Sequence, residues 1–532
     1  MIASDPTSAP AAGADRAFYN AAADLLGRNL PHRAAKTAFV DEQGAYTYGE
    51  LAERVDRCAG ALLGLGIEAE QRVVLGLLDT IDFPTAFLGA IKAGIVPIPV
   101  NTLFQPLDLA FILADSRAKA AIVSAELLPQ YEEAARLASW RGRFVVSDPR
   151  GTLTAGAHSE FAALLATATP LADAAPTRPD DVAFWLYSSG STGKPKGTLH
   201  VQTSLIRTAE LFAQNVLGMR EDDVVYSAAK LFFAYGLGNA LSFPMSVGAT
   251  AVLCAGRPTP DGVSAILRDH RATIFCGVPT LFAALLVHPA LPRREELALR
   301  LCTSAGEPLP EELGRSWTAR FGVEIIDGIG STEMLHIFVS NRPGAVKYGT
   351  TGLPVPGYRA RIVGEDGREV ERGELGELEV AGDTSAILYW NNRERSRRTF
   401  VGEWTRTGDK FRQDEDGCFV YCGRVDDMLK VSGIWVSPSE VESALVAHES
   451  VLEAAVVGAA DEQNLIKPKA FVVLKPGVTP SDELVAALQA HVKSRLAPYK
   501  YPRWIAFVPD LPKTATGKIR RHVLRDQSSC AT

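Results

Sequence analysis

No run of apolar residues in this chain approaches the roughly eighteen that a membrane-crossing helix requires, so no membrane partner is expected. Nor is there an excess of basic charge. A formal charge of −7 and a pI near 5.8 supply no global field for nucleic acid, although local basic patches remain available to a small anionic ligand. Cysteine is scarce, and its pattern is not that of a metal site. Seven are scattered along the chain, and Cys418 and Cys422 sit in the apolar, strand-like run Gly-Cys-Phe-Val-Tyr-Cys-Gly with no second Cys or His pair nearby, which points to packing rather than zinc. An odd count suits a reducing compartment. The opening Met-Ile-Ala-Ser-Asp-Pro-Thr-Ser-Ala-Pro has no basic stretch leading into an apolar one, so a cytoplasmic location is expected. No internal repeat of about 20 to 50 residues is visible.

What is present has the balance of a large globular protein. Hydrophobic residues at 47% and charged ones at 22% exclude long disorder, and 532 residues exceed what one hydrophobic core usually supports. Helix-like and strand-like segments alternate from about residue 45. Residues 48–65 have helical apolar spacing, 72–78 read as a buried strand, 83–93 as a helix and 95–100 as another strand. That alternation predicts α/β layers with mainly parallel sheets. From 350 to 425 the pattern changes to short strand candidates at 359–363, 376–380, 403–407 and 417–421, separated by Gly/Asp/Glu turns, as in a mostly antiparallel β subdomain. Beyond it, Ser437-Pro438-Ser439-Glu440 reads as a capping box with proline at the first helical position, and Thr479-Pro480-Ser481-Asp482 starts a second helix with Leu484, Leu488 and Val492 on one face. Strands are expected at 453–458 and 469–474. The fold class is therefore α/β: a large N-terminal domain of layered α/β subdomains plus a β subdomain at 1–425, and a small, mobile α+β domain at 426–532.

Chemistry is concentrated in Tyr187-Ser188-Ser189-Gly190-Ser191-Thr192-Gly193-Lys194-Pro195-Lys196-Gly197, which follows a strand-like run. Glycines let the backbone approach an anion, while hydroxyls and two ammonium groups supply donors and charge, so a polyphosphate such as ATP is the implied ligand. A Walker A loop has Ser or Thr after its lysine. Here Pro195 follows Lys194, and that reading fails.

The loop instead resembles the signature of the acyl-adenylating superfamily of acyl-CoA synthetases, adenylation domains and luciferases. Further motifs follow in the family's order over roughly residues 40 to 525. These are Tyr46-Thr47-Tyr48-Gly49-Glu50-Leu51, Ser304-Ala305-Gly306-Glu307-Pro308, Asp327-Gly328-Ile329-Gly330-Ser331-Thr332-Glu333, Thr407-Gly408-Asp409, Gly423-Arg424-Val425-Asp426-Asp427 and Pro512-Lys513-Thr514-Ala515-Thr516-Gly517-Lys518. The resemblance implies that ATP is held by Ser188 to Lys194 and Lys196, by Gly306, Glu307 and Pro308 on the adenine side, by the 327–331 segment, and by Asp409 and Arg424 at the ribose. It implies Thr332, Glu333 and Lys518 as catalytic residues, with Glu333 a ligand of Mg²⁺ and Lys518 reaching both the acid and the α-phosphate. Many members have tyrosine where Ile329 stands, so adenine stacking becomes an aliphatic contact. The family's two half-reactions imply rotation about Asp426. That movement brings Lys430, Ser432 and Gly433 to a channel for coenzyme A, the second co-substrate.

The acid is read from Lys230-Leu231-Phe232-Phe233-Ala234-Tyr235-Gly236-Leu237-Gly238. No carboxylate lies between Leu231 and Gly238, and a buried ammonium without a counterion is expensive, so an α-amino acid is disfavoured. Three aromatics beside small residues favour a flat apolar acid. Together with Glu333-Met-Leu-His-Ile-Phe the segment looks like benzoate-CoA ligases, which implies an acid pocket of Phe232, Phe233, Ala234, Tyr235, Gly236, Gly330, His336 and Ile337. The expected activity is ATP-dependent aryl-CoA ligation with benzoate. A substituted benzoate, a cinnamate, a medium-chain fatty acid or a non-catalytic acyl-nucleotide-binding protein stay as alternatives, and a homodimer is left open.

Overall fold

Parallel pairing runs through the middle of a nine-stranded sheet and gives way to antiparallel pairing at both margins. In order the strands are Leu353–Pro354, Ile337–Ser340, Ile325–Gly330, Leu301–Ser304, Ile274–Gly277, Val224–Ser227, Thr250–Val252, Thr37–Asp41 and Gly44–Thr47. The computed structural model describes residues 18–151, 158–188, 195–425, 427–431, 434–461, 465–513 and 519–529. A second sheet of five strands, Val96–Pro99, Arg72–Gly76, Ala120–Ser124, Arg143–Ser147 and Ser159–Glu160, is parallel throughout. The expectation of mainly parallel layers therefore holds for this sheet, while the larger one is mixed. One margin turns back because Asp41 Oδ1 accepts from the N–H groups of Gln43 (2.8 Å) and Gly44 (3.2 Å), closing a tight hairpin that only antiparallel strands can use.

Local chemistry explains the first motif. Thr47 caps the helix Tyr48–Gly64 in a reciprocal box with Glu50, and the buried Tyr48 donates to the Ala249 carbonyl at 2.7 Å. That motif is a structural joint between the helix and the large sheet. The third expected layer is also present: Arg359–Val363, Gly376–Ala381, Trp404–Gln413 and Phe419–Arg424 pair antiparallel. At the C-terminal end, strands Val451–Ala460, Ile466–Leu474 and Trp504–Phe507 pack with helices Pro438–Val446 and Asp482–Arg495 over their own cluster of Val436, Val441, Leu445, Val456, Val472 and Leu488. Ser437 and Ser481 cap these helices by accepting from Glu440 N and Leu484 N; the expected box at Ser437 is only half made, because the Glu440 carboxylate is taken by Lys500.

The parallel strands determine where chemistry can collect. Val224–Ser227, Leu301–Ser304 and Ile325–Gly330 all end at the same edge of the sheet, and the chain leaves them into residues 228–236, 305–309 and 331–336. In open α/β sheets, ligands settle outside the carboxyl ends of the strands. The motifs at 230–238, 304–308 and 327–333 all sit there.

Candidate active site

The phosphate loop connects two antiparallel strands, Val182–Ser188 and Lys196–Val201, in which Ser188 pairs with Lys196. Ser189, Gly190, Ser191, Thr192, Gly193 and Lys194 lie outside the described residues, as do Asp426, Ser432, Gly433, Lys518 and the side chain of Lys430. Lys196 begins the returning strand, and its ammonium meets Glu333 Oε1 at 2.7 Å, with both side chains only 14% exposed. Tyr389 completes a triangle: its hydroxyl donates to the same carboxylate oxygen at 2.6 Å and accepts from Lys196 Nζ at 2.8 Å. Burial alone would push the Glu333 carboxyl up. The Lys196 charge and the hydrogen bonds from Lys196 and Tyr389 win, and hold it at about 2, so the group is a carboxylate at neutral pH. Burial lowers the Lys196 ammonium from its ordinary value, against the pull of Glu333.

A second ion pair faces the same space. Asp409 and Arg424 are register partners on neighbouring strands, with Nη1 and Oδ1 3.1 Å apart. Arg424 acts electrostatically on Lys196, and Glu333 acts on Arg424, so the two pairs belong to one polar site. Thr332 offers its carbonyl to His200 Nε2 at 2.9 Å, and Ser331 Oγ accepts from Met334 N, shaping the turn that carries Glu333. Within the strand Ile325–Gly330, Asp327 is buried and its carboxyl is pushed well above the usual range by desolvation, against the opposing pull of nearby Ser304, Leu309 and Gly328. Gly328, Ile329 and Gly330 line the end of the same strand, with Ile329 half-buried. Gly306, at φ 91°, and Pro308 are exposed and Glu307 is half-buried. Lys513 pairs with Glu453 at 2.7 Å. Burial pulls its ammonium down, but Glu453, Asp510 and Glu307 raise it further, which brings the start of the lysine motif within electrostatic reach of the adenine side.

Aromatic side chains gather around His336. Its ring lies 4.4 Å from Phe243 and 5.4 Å from both Phe212 and Tyr235, centroid to centroid, and Nε2 donates to the Tyr235 carbonyl at 3.3 Å. Burial holds its imidazole down to about 3, so it is neutral at pH 7. Tyr235 Oη meets Thr303 Oγ1 at 2.6 Å. Phe232 is buried, Phe233 and Ala234 are half-buried, and the two phenyl rings tilt together at 4.3 Å. Gly236 is required here, because a Cβ would stand 2.0 Å from the Lys230 carbonyl oxygen. Gly238 is equally constrained: its Cβ would fall 2.4 Å from His336 Cδ2. Ile337 is buried on the strand following His336. A recess of about 190 Å³ lined by Asp427, Met428, Leu429, Val456, Arg521 and Arg525 involves none of these residues.

Sequence reasoning missed Tyr389, His200, Thr303, Phe212 and Phe243. None stands inside a motif. For Tyr389 the signal was an unassigned stretch between two strands of the β subdomain. Among the described residues no helix is long and apolar enough to cross a membrane, and no three His, Cys, Asp or Glu residues cluster as a metal cage.

Comparison with known proteins agrees with this geometry. Residues 27–390 match the family model for AMP-binding enzymes and 440–518 the model for the AMP-binding enzyme C-terminal domain. The chain is 60% identical to a benzoate–CoA ligase of Thauera aromatica over 95% of its own length and 96% of the relative's. A crystal structure of a benzoate CoA ligase from Burkholderia xenovorans LB400 superposes with a TM-score of 0.90 at 54% identity, covering 96% of this chain and 100% of that one. A crystal structure of an anthranilate CoA ligase in complex with anthranoyl-AMP gives 0.91 at 42% identity, covering 96% and 97%. With both family models matched in order and relatives aligned along nearly the whole length, the chain belongs to the AMP-binding enzymes of the acyl-adenylating superfamily.

Proposed function

We propose that this enzyme is an ATP-dependent aryl-CoA ligase that converts benzoate, ATP and coenzyme A to benzoyl-CoA, AMP and pyrophosphate. The observation that carries the reading is the neutral His336 within a collar of Phe212, Tyr235 and Phe243, beside a segment that holds no carboxylate. Such a collar suits a flat, uncharged ring. The benzoate–CoA ligases among the relatives support the same acid.

In the first half-reaction an oxygen of the benzoate carboxylate attacks the α-phosphorus of ATP and pyrophosphate leaves. The barrier is dominated by bringing anions together, so fixed cations and donors lower it. Lys196, Lys194 and the hydroxyls of the loop hold the phosphates, Asp409 accepts from the ribose hydroxyls and Arg424 stands beside it. Lys518 neutralises the carboxylate and the α-phosphate together. Glu333 fits Mg²⁺, because it is a hard, ionised oxygen donor. Bound there, Mg²⁺ would neutralise charge on the phosphates. In the second half-reaction the coenzyme A sulfur attacks the acyl carbon and AMP leaves. The roles differ at one carbon, so residues 426–532 turn about Asp426, withdraw Lys518 and bring Lys430, Ser432 and Gly433 to the thiol path.

The test is ATP–pyrophosphate exchange with benzoate in the absence of coenzyme A, followed by product analysis with it. Benzoate-dependent exchange, then AMP and thioester, is the expected result; ADP and phosphate would place attack at the γ-phosphate and end the proposal. The Lys518→Ala variant is expected to lose about 10²–10³ in adenylation rate while still forming thioester from supplied benzoyl-AMP.

A further inference from the structure

Residues 386–390 are tied both to the strand leaving the phosphate loop and to the turn bearing Glu333. Ala386 N donates to the Glu333 carbonyl at 2.7 Å, Ile387 N to Leu199 O at 3.0 Å and Trp390 N to Gly197 O at 2.8 Å, while Tyr389 forms a β-bridge with Thr198. Tyr389 itself is 2% exposed, its N–H is taken by Ser396 Oγ at 3.0 Å, and its ring packs 5.2 Å from Phe400. The hydroxyl is therefore delivered to one point. There it donates to Glu333 Oε1 and accepts from Lys196 Nζ, which also lies 4.2 Å from the centre of the ring.

We infer that Tyr389 is a positioning residue that aims the Glu333 carboxylate at the metal and lets Lys196 exchange that carboxylate for a phosphate. The inference rests on the reading of Glu333 as the Mg²⁺ ligand. As an ion pair, Lys196 and Glu333 neutralise each other. To serve a metal–nucleotide complex they must part, the ammonium toward phosphate oxygen and the carboxylate toward the cation. Parting a buried pair leaves an uncompensated charge, which is costly. The Tyr389 hydroxyl keeps one charge-assisted hydrogen bond on the carboxylate while the lysine moves, and its oxygen remains an acceptor for the ammonium. Neither the ring nor the backbone bridge performs this function, so phenylalanine preserves the packing and deletes only the hydroxyl.

The experiment is titration calorimetry of the whole protein with ATP in EDTA and with ATP in excess Mg²⁺, for wild type, Tyr389→Phe, Glu333→Gln and the double variant. The quantity compared is the gain in affinity that Mg²⁺ confers. Tyr389→Phe is expected to cut that gain about ten-fold, the usual worth of a hydrogen bond to a charged group, and to leave metal-free ATP binding near wild type. The double variant is expected to match Glu333→Gln, since Tyr389 acts through that carboxylate. An undiminished gain in Tyr389→Phe, equal weakening with and without Mg²⁺, or additive losses in the double variant each overturn the proposal. Full retention of the gain in Glu333→Gln overturns the metal reading of Glu333 and the proposal with it. Loss in Glu333→Gln beside full retention in Tyr389→Phe removes the Tyr389 role alone.

Discussion

Adding one methyl group at residue 238 tests the acid site more directly than removing a ring. Gly238 has φ −63° and ψ −62°, which alanine adopts freely, so Gly238→Ala introduces no backbone strain. The added Cβ falls 2.4 Å from His336 Cδ2, 2.8 Å from Nε2 and 3.0 Å from Phe243 Cζ. Carbon atoms settle at about 3.5–4.0 Å, so the imidazole has to retreat by about 1 Å. Phe212, Phe243 and Tyr235 stand around it, which makes the retreat costly. Overpacking of this kind destabilises by about 1–3 kcal/mol, partly offset by the roughly 1 kcal/mol that alanine gains over glycine in helical backbone. Displacement of a positioning group by 1 Å can lower a rate by about 10²-fold, so kcat/KM for benzoate is expected to fall about ten- to hundred-fold. The KM for ATP is expected to stay near wild type. Gly64→Ala is the control: that position is exposed, nothing lies within 4 Å of its Cβ, and the same substitution is expected to be neutral or mildly stabilising. The readouts are kcat/KM for benzoate and a para-substituted benzoate beside the unfolding midpoint. Wild-type benzoate kinetics together with an unchanged midpoint in Gly238→Ala would refute the packing of His336 against residue 238. A lower midpoint with unchanged kinetics would leave His336 a core residue only.

Two further outcomes follow from burial and charge. Phe233 is half-buried and Phe232 fully so; Phe233→Ala is therefore expected to lower kcat/KM for benzoate several-fold and admit bulkier acids at little cost to the midpoint, whereas Phe232→Ala costs about 3–5 kcal/mol of stability, and a uniform loss for all acids in Phe233→Ala rejects the pocket role. Burial holds the His200 and His336 imidazoles down to about 4 and about 3, below the unfolded value near 6.5, so the unfolded chain takes up protons first as pH falls. Their stability contribution is intact above about pH 6.5 and lost through that value downward, by about 2 kcal/mol per histidine between pH 7.5 and 5. Denaturant midpoints that do not fall over this window, in a chain where His200→Gln behaves like wild type, contradict the buried neutral state.

Much of the architecture was legible because its signals are local. The helix at 48–64 announced itself through Thr47 and Glu50, and the C-terminal helices through Ser437 and Ser481, whose caps are made within three or four residues. Strand lengths were less readable: the strand expected at 403–407 begins at Trp404 and runs ten residues to Gln413, because its continuation is decided by pairing with Phe419–Arg424 rather than by its own alternation. The site divided along the same line. Glu333, Lys196, Asp409 and Arg424 lie within contiguous motifs, and the structure brings them together. Tyr389 and Thr303 belong to the site only through contacts spanning 56 and 68 residues, to Glu333 and Tyr235 respectively. Periodicity carries no information about such pairs.

The shared sheet edge has an evolutionary consequence. The 228–236 segment hangs from Val224–Ser227 and the 305–309 segment from Leu301–Ser304, with Ile274–Gly277 between them, and among the described residues a Tyr235–Thr303 hydrogen bond joins the two sides. Under the proposed function, substitutions around Phe233 can therefore drift and test new acids in descendants while ATP handling is inherited intact. The stretch from Gly330 to Ile337 has no such liberty. It carries Glu333 and His336 three residues apart, so under the same proposal a lineage that alters the acid wall there also disturbs the phosphate side, and change is channelled toward the other loop.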